Sequence, residues 1–129
     1  MIYVRSTVEY RIVIPGRAFS FRSPHAKAYK AKIRRFAKST VRRPLPGRNI
    51  EVLVDYFRTS KTHPDMDNIS KCVLDALNGV AYKDDQQVRL QSSIEHFLGA
   101  PIHIFEDTVD LVKPLIRYKE YVFVRVRQG

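Results

Sequence analysis

HPDMDNISKCVLDALNGVAYKDDQQV, residues 63–88, sets the frame for the whole chain because it breaks the chain's own charge rule. It holds five of the 13 acidic residues, Asp65, Asp67, Asp75, Asp84 and Asp85, in a protein of net charge +10. Packing carboxylates together costs repulsion that a purely structural surface has no reason to keep, and a bound cation removes it. Within the stretch, Ile69, Cys72, Val73, Ala76 and Leu77 recur at helical spacing and predict a buried stripe on a helix over 67–78. Asn68, Lys71, Asp75 and Asn78 fall on the opposite face. Either Asp65 or Asp67 can cap that helix at its positive end, and the Asn78-Gly79 pair ends it.

Strands are expected on both sides of this helix. Upstream, Ile50, Val52, Val54 and Tyr56 alternate with Glu51, Leu53, Asp55 and Phe57, and apolar residues on both faces predict a central strand. Downstream, Val88, Leu90, Ser92 and Ile94 alternate with Arg89, Gln91, Ser93 and Glu95, so a strand follows directly on Asp84 and Asp85. One carboxylate pair therefore sits where a strand passes into a helix, the other at a strand's start.

Further out, Val8, Tyr10, Ile12 and Ile14 predict a strand over 7–14, closed by Pro15 and Gly16. A helix is expected from Ser23 as cap and Pro24 to about Thr40, with Ala26, Tyr29, Ile33, Phe36 and Ala37 as its apolar stripe. Residues 101–114 are ambiguous, with Ile102 and Ile104 suggesting a short strand. Tyr121–Arg127 reads as a strand with Val122, Val124 and Val126 inward, leaving Tyr121, Phe123, Arg125 and Arg127 on a face available as an interface. The sum is an α+β domain: a small mixed sheet of about four strands with two main helices, one domain over residues 1–129.

Composition sets the partner class. Residues 1–50 carry thirteen Lys and Arg against the single acid Glu9, a net of +12, while the remainder is net −2. A basic half beside an acid-centred half suits a polyanion held by one and acted on by the other. Arg17 and Arg22 alternate with Phe19 and Phe21 in a loop able to contact phosphates and stack on bases, although both aromatics could equally tuck into the core. Lys27, Lys30, Arg34 and Lys38 recur along one face of the first helix and are the main candidates for a phosphate-backbone surface. No apolar run approaches the length of a membrane span and no signal peptide opens the chain, so a cytoplasmic protein is expected. Cys72, the only cysteine, makes no disulfide and no thiolate metal cluster.

The acid cluster suits a hard cation. Mg²⁺ prefers oxygen ligands and is commonly held by one or two carboxylates together with substrate phosphates, so Asp65, Asp67 and one of Asp84 and Asp85 would serve. Zinc fits poorly where cysteine and histidine are scarce. The chemistry that follows is metal-assisted phosphodiester hydrolysis, with Lys71 placed to stabilise charge on the phosphorane or position the attacking water. A weak ion pair of Lys71 with Asp67 or Asp75 is the plainer alternative.

Asp65-Met66-Asp67-Asn68, Lys71, Asp75-Ala76-Leu77-Asn78-Gly79, then Asp84-Asp85 and Val88 resembles the RusA family of Holliday junction resolvases. The likeness is close over 65–88 and loose upstream, where Ile14-Pro15-Gly16 and the Tyr29-containing basic helix carry it. Pro64 departs from the family's pattern where a basic residue can occur. The resemblance implies a homodimeric endonuclease that nicks two strands of a four-way DNA junction symmetrically, using Mg²⁺, with Mn²⁺ as a substitute. It also implies Asp65, Asp67 and Asp85 as metal ligands, with Lys71 as their catalytic helper. The alternative is a DNA-junction binding or architectural module that keeps the fold without the activity.

Overall fold

The computed structural model describes residues 8–60, 65–99 and 109–128. Four strands and two helices follow in the order β1 (Val8–Pro15), α1 (Ala26–Thr40), β2 (Ile50–Arg58), α2 (Met66–Leu77), β3 (Val88–Phe97) and β4 (Tyr121–Gln128). Short 3-10 turns stand at Asp85–Gln87, Val109–Leu111 and Lys113–Ile116. The architecture is the expected α+β arrangement. His63 and the possible strand at Ile102 and Ile104 lie outside the described residues.

In the sheet the strands run in the order β1-β4-β2-β3. β2 and β3 are parallel, with Ile50 opposite Val88 and Arg58 opposite Phe97, while β4 is antiparallel to both β1 and β2. β1, β2 and β3 therefore all point the same way, joined by helical crossovers, and β4 slots between the first two. Crossovers that advance in one direction with one hand lie on one side of the sheet. The core confirms that placement: Tyr29 and Ile33 of α1 and Ile69, Val73 and Leu77 of α2 bury against Ile12, Val52 and Val124.

Both helical stripes fall as expected, with Phe36 and Leu74 partly buried at the margins. One detail differs at α1. Helical backbone begins at Ala26 rather than Pro24, because the Ser23 hydroxyl accepts from the His25 amide (3.0 Å) and draws Pro24 and His25 into a turn. Gly79 takes φ +83 after α2, as the Asn78-Gly79 pair requires.

The other sheet face is not a bare interface. Tyr121 and Phe123 pack with Phe57 and Leu111 in a second apolar cluster, under the turns at 109–116. Beside it Asp55, His96 and Arg125 are all buried, and Asp55 joins the other two: it meets His96 Nε2 at 2.8 Å and accepts from Arg125 at 3.2 Å. Charged and polar side chains on three neighbouring strands thus pair through Asp55 where an unpaired one would be costly.

Candidate functional site

α2 has the sequence cues of a capped helix, and its cap resolves one alternative. Asp65 is the cap, its Oδ1 accepting from the Asn68 amide nitrogen at 3.2 Å. The Asn68 side-chain amide adds a second bond, donating to Asp65 Oδ2 at 2.6 Å. The carboxylate is fixed through both oxygens yet stays exposed, and each oxygen retains further acceptor capacity. Asn68 is correspondingly buried at 8% exposure, not on the solvent face that periodicity assigned to it. Its hydrogen-bonding pattern is what withdraws it: the backbone carbonyl of Asn68 also accepts from the Phe21 amide (2.9 Å), which ties the basic loop to the start of α2.

Asp67 is exposed in the first turn of α2, where the helix dipole favours negative charge. Lys71 is exposed one turn later and makes no ion pair among the described residues. Asp75, the other partner considered for it, instead binds Lys30 Nζ at 3.3 Å.

A cavity of about 190 Å³ opens beside Asp65, lined among others by Arg17, Phe19, Ser20, Tyr56 and Arg58. The loop that carries Arg17 is anchored from beneath. The Ala18 amide donates to the Tyr56 hydroxyl at 3.3 Å, which in turn donates to Glu120 at 3.0 Å. Burial pushes Tyr56 up to about 12, so it remains a neutral hydroxyl. Arg17 lies 5.5 Å above the Phe19 ring, and Phe19 packs on the core, so one of the two loop aromatics is structural while Phe21 is 45% exposed. Nothing in the sequence pattern singled out Asn68, Tyr56 or Glu120 as supports; each acts through a contact distant in the chain or hidden within the helix.

The second carboxylate pair is elsewhere. Because β2 and β3 are parallel, the chain leaves β2 at one end of the sheet and must return along α2 to enter β3 at the other. Twelve helical residues rising about 1.5 Å each put roughly 18 Å between the Asp65 and Asp85 ends. Among the described residues no group of three or more His, Cys, Asp or Glu side chains is gathered closely enough to hold a metal ion. Within one chain the structure brings Asp65 and Asp67 together on one helix turn and does not bring Asp85 to them.

At that far end, spacing left Asp84 and Asp85 equivalent and the structure separates them. Asp84 caps the 3-10 turn, accepting from the Gln86 amide at 3.0 Å, while Gln87 Oε1 accepts from the Asp84 amide at 3.0 Å. Gln87 also donates to the carbonyls of Leu45 and Gly47, so the turn is pinned to the loop before β2. The Gln86 amide and a hydrogen bond with Asp85 hold the Asp84 carboxyl below its ordinary range. That same bond to Asp84, reinforced by the charges of Asp84 and Asp75, raises Asp85. Both carboxyls are exposed, but Asp84 is spent on capping the turn.

The basic candidates divide as well. Lys27, Lys38, Arg17 and Arg22 are exposed. Lys30 is shared between Asp75 and the Phe21 ring, 5.2 Å from its centroid. Arg34 is used inside the protein: its Nε donates to Ala76 O (3.1 Å) and its terminal nitrogen to Asn78 O (3.0 Å), closing the carboxyl end of α2.

Among the described residues no helix is long and apolar enough to cross a membrane. The family model described as Endodeoxyribonuclease RusA matches residues 7–104, a span from β1 past the end of β3. No curated protein matches the chain.

Proposed function

Since the chain belongs to the RusA endodeoxyribonuclease family, it is a nuclease acting on DNA, and we propose that it resolves four-way junctions by paired hydrolysis of phosphodiester bonds in recombination and repair. The observation that carries this reading is the amino end of α2, where Asp65 lines a cavity walled by Arg17 and exposed Asp67 and Lys71 follow in the next turn and a half of helix. Carboxylate oxygens, a free lysine and an arginine-lined opening are what a phosphodiester needs around it.

Asp65 and Asp67 fit Mg²⁺ or Mn²⁺ as a two-carboxylate set completed by substrate phosphate, the usual arrangement for that ion. A cation bound there would supply charge neutralisation and an acidified water. The remaining work belongs to the chain. Asn68 fixes the Asp65 carboxylate, Lys71 offsets charge as phosphorus becomes five-coordinate, and Arg17 holds the strand's phosphate in the adjoining cavity. Water adds to phosphorus as the bridging oxygen on the other side departs. Arg22, Lys27 and Lys38 extend the cationic surface along the incoming arms.

The enzyme on this reading is a homodimer. Two symmetric cuts need two acid clusters, and one chain supplies one. The separation of Asp85 from Asp65 within a chain supports the same reading, in which Asp85 reaches the pair from a partner subunit.

Incubation of the pure protein with a synthetic four-way junction and Mg²⁺ should give paired nicks near the crossover. Cutting of linear duplex instead would overturn the reading. Asp67→Asn should abolish cleavage and leave metal-free junction binding equal or tighter, since it removes a charge that repels phosphate. Tight binding by the unaltered chain with no cleavage in Mg²⁺ or Mn²⁺ would establish the binding-module alternative.

A further inference from the structure

Glu120 stands in the bend before β4, outside residues 7–104 that the family model matches. Strand ends converge there: Tyr121, which opens β4, lies opposite Pro15 at the end of β1 and opposite Phe57 near the end of β2. β1 runs out into the loop that carries Arg17, and β2 runs out through Thr59 on the way to Asp65. The walls of the cavity thus leave the sheet side by side, and past Pro15 and Arg58 no strand pairing holds either one.

Glu120 bonds to both. Its backbone carbonyl accepts from the Gly16 amide at 2.7 Å, and its carboxylate Oε1 accepts from the Thr59 amide at 3.0 Å. The same oxygen accepts from the Tyr56 hydroxyl, also at 3.0 Å, and that hydroxyl accepts in turn from the Ala18 amide at 3.3 Å. A carboxylate can only accept, so it takes the single hydroxyl hydrogen of Tyr56 and leaves the hydroxyl oxygen turned to Ala18. Burial dominates the rise of the Tyr56 hydroxyl, and the charge of Glu120 adds to it while that of Arg17 opposes it, so both charges lie close to Tyr56.

We infer that Glu120 is a positioning residue of the nuclease site: through Thr59 on one side and Tyr56 with Ala18 on the other, it sets the spacing between Asp65 and Arg17. The roles of those two residues are those of the nuclease reading above, on which this inference rests. Glu120 itself touches neither substrate nor metal. Its effect is on alignment, and misplacing a reacting group by about 1 Å costs on the order of 100-fold.

Amide hydrogen exchange reads the bridge without substrate. Glu120→Ala should speed exchange of the Ala18 and Thr59 amides together, whereas Tyr56→Phe should speed Ala18 and leave Thr59 as it was. Glu120→Gln should keep both protected, because an amide oxygen accepts the same two bonds. Protection of either amide in folded Glu120→Ala would overturn the bridge. On a four-way junction with Mg²⁺, Glu120→Ala should lower kcat by about 10- to 100-fold, with metal-free junction affinity unchanged and the rate restored in Glu120→Gln. In an Arg17→Ala background the same substitution should cost less than about threefold, since residues acting as one unit are not additive. An undiminished loss in that background, or equal losses of kcat and affinity, would overturn the positioning role. Tyr56→Phe serves in the same cycle with Arg17→Ala should Glu120→Ala fail to fold. A wild-type chain that cuts no junction would overturn the nuclease reading and the positioning role with it, while amide exchange would still decide the bridge.

Discussion

Arg34 of α1 donates through Nε to the carbonyl oxygen of Ala76, 3.1 Å away, and so closes the carboxyl end of α2 with a side chain from the neighbouring helix. A guanidinium suits that place, since the carbonyls there are unpaired and carry the negative end of the dipole. Arg34→Ala should lower stability by about 1 kcal/mol in urea unfolding with an unchanged m value. Its effect on the salt dependence of DNA binding should be negligible, whereas Lys27→Ala should reduce the slope of log K against log salt by about 1. Equal slope losses for both variants would return Arg34 to the DNA surface.

Asn68 holds Asp65 rather than substrate, and its removal should loosen the carboxylate without unfolding the helix, whose cap bond comes from the backbone. Groups that orient a metal-binding side chain are worth roughly 10- to 100-fold in metal affinity or activity. Asn68→Ala should accordingly shift the Mg²⁺ concentration for half-maximal junction cleavage upward by about that factor, with saturating rates partly recovered. A change in stability with no shift in the Mg²⁺ profile would make Asn68 structural only.

At the other end of α2 the paired carboxyls should titrate apart, Asp84 below and Asp85 above the ordinary aspartate value of 3.8. The signs oppose in their effect on folding. Asp84 stabilises above its unfolded value and loses this as pH falls through its lowered folded value; Asp85 stabilises below its unfolded value and loses this as pH rises through its raised one. Carboxyl-detected NMR should resolve the two steps, and Asp84→Asn should bring Asp85 back toward the ordinary value. An unmoved Asp85 in that variant would place the cause of its shift in desolvation and the charge of Asp75.

Asp55 bonds two buried partners at once, and removing it takes a bond from each. Asp55→Ala should cost about 3 to 5 kcal/mol, the usual penalty for breaking a buried ion pair by removing one member. Urea unfolding checks the figure; a loss near 1 kcal/mol would mean that Arg125 and His96 are satisfied without it.

The sequence by itself determined the local elements and the residues at the amino end of α2. The alternations over 50–57, 88–95 and 121–127 mark extended backbone, and the helical stripes of Tyr29-Ile33 and Ile69-Val73-Leu77 arise from burial against the sheet; period alone reports both. Asp65, Met66 and Asp67 are contiguous, so a cap and its first turn place them without help from the rest of the chain. Tertiary structure alone decided how far Asp85 lies from Asp65, since the separation depends on β3 pairing parallel to β2 and forcing a return along the full length of α2. It also decided that Arg34 would serve a helix end, that Asn68 would turn inward and that Asp84 would close a turn. Each of those choices is a hydrogen bond satisfied across the fold or within a turn, and hydrophobic period carries no record of which polar group will satisfy which. The acid stretch at 63–88 thus remains one motif in sequence and becomes two sites, at opposite ends of a helix, in space.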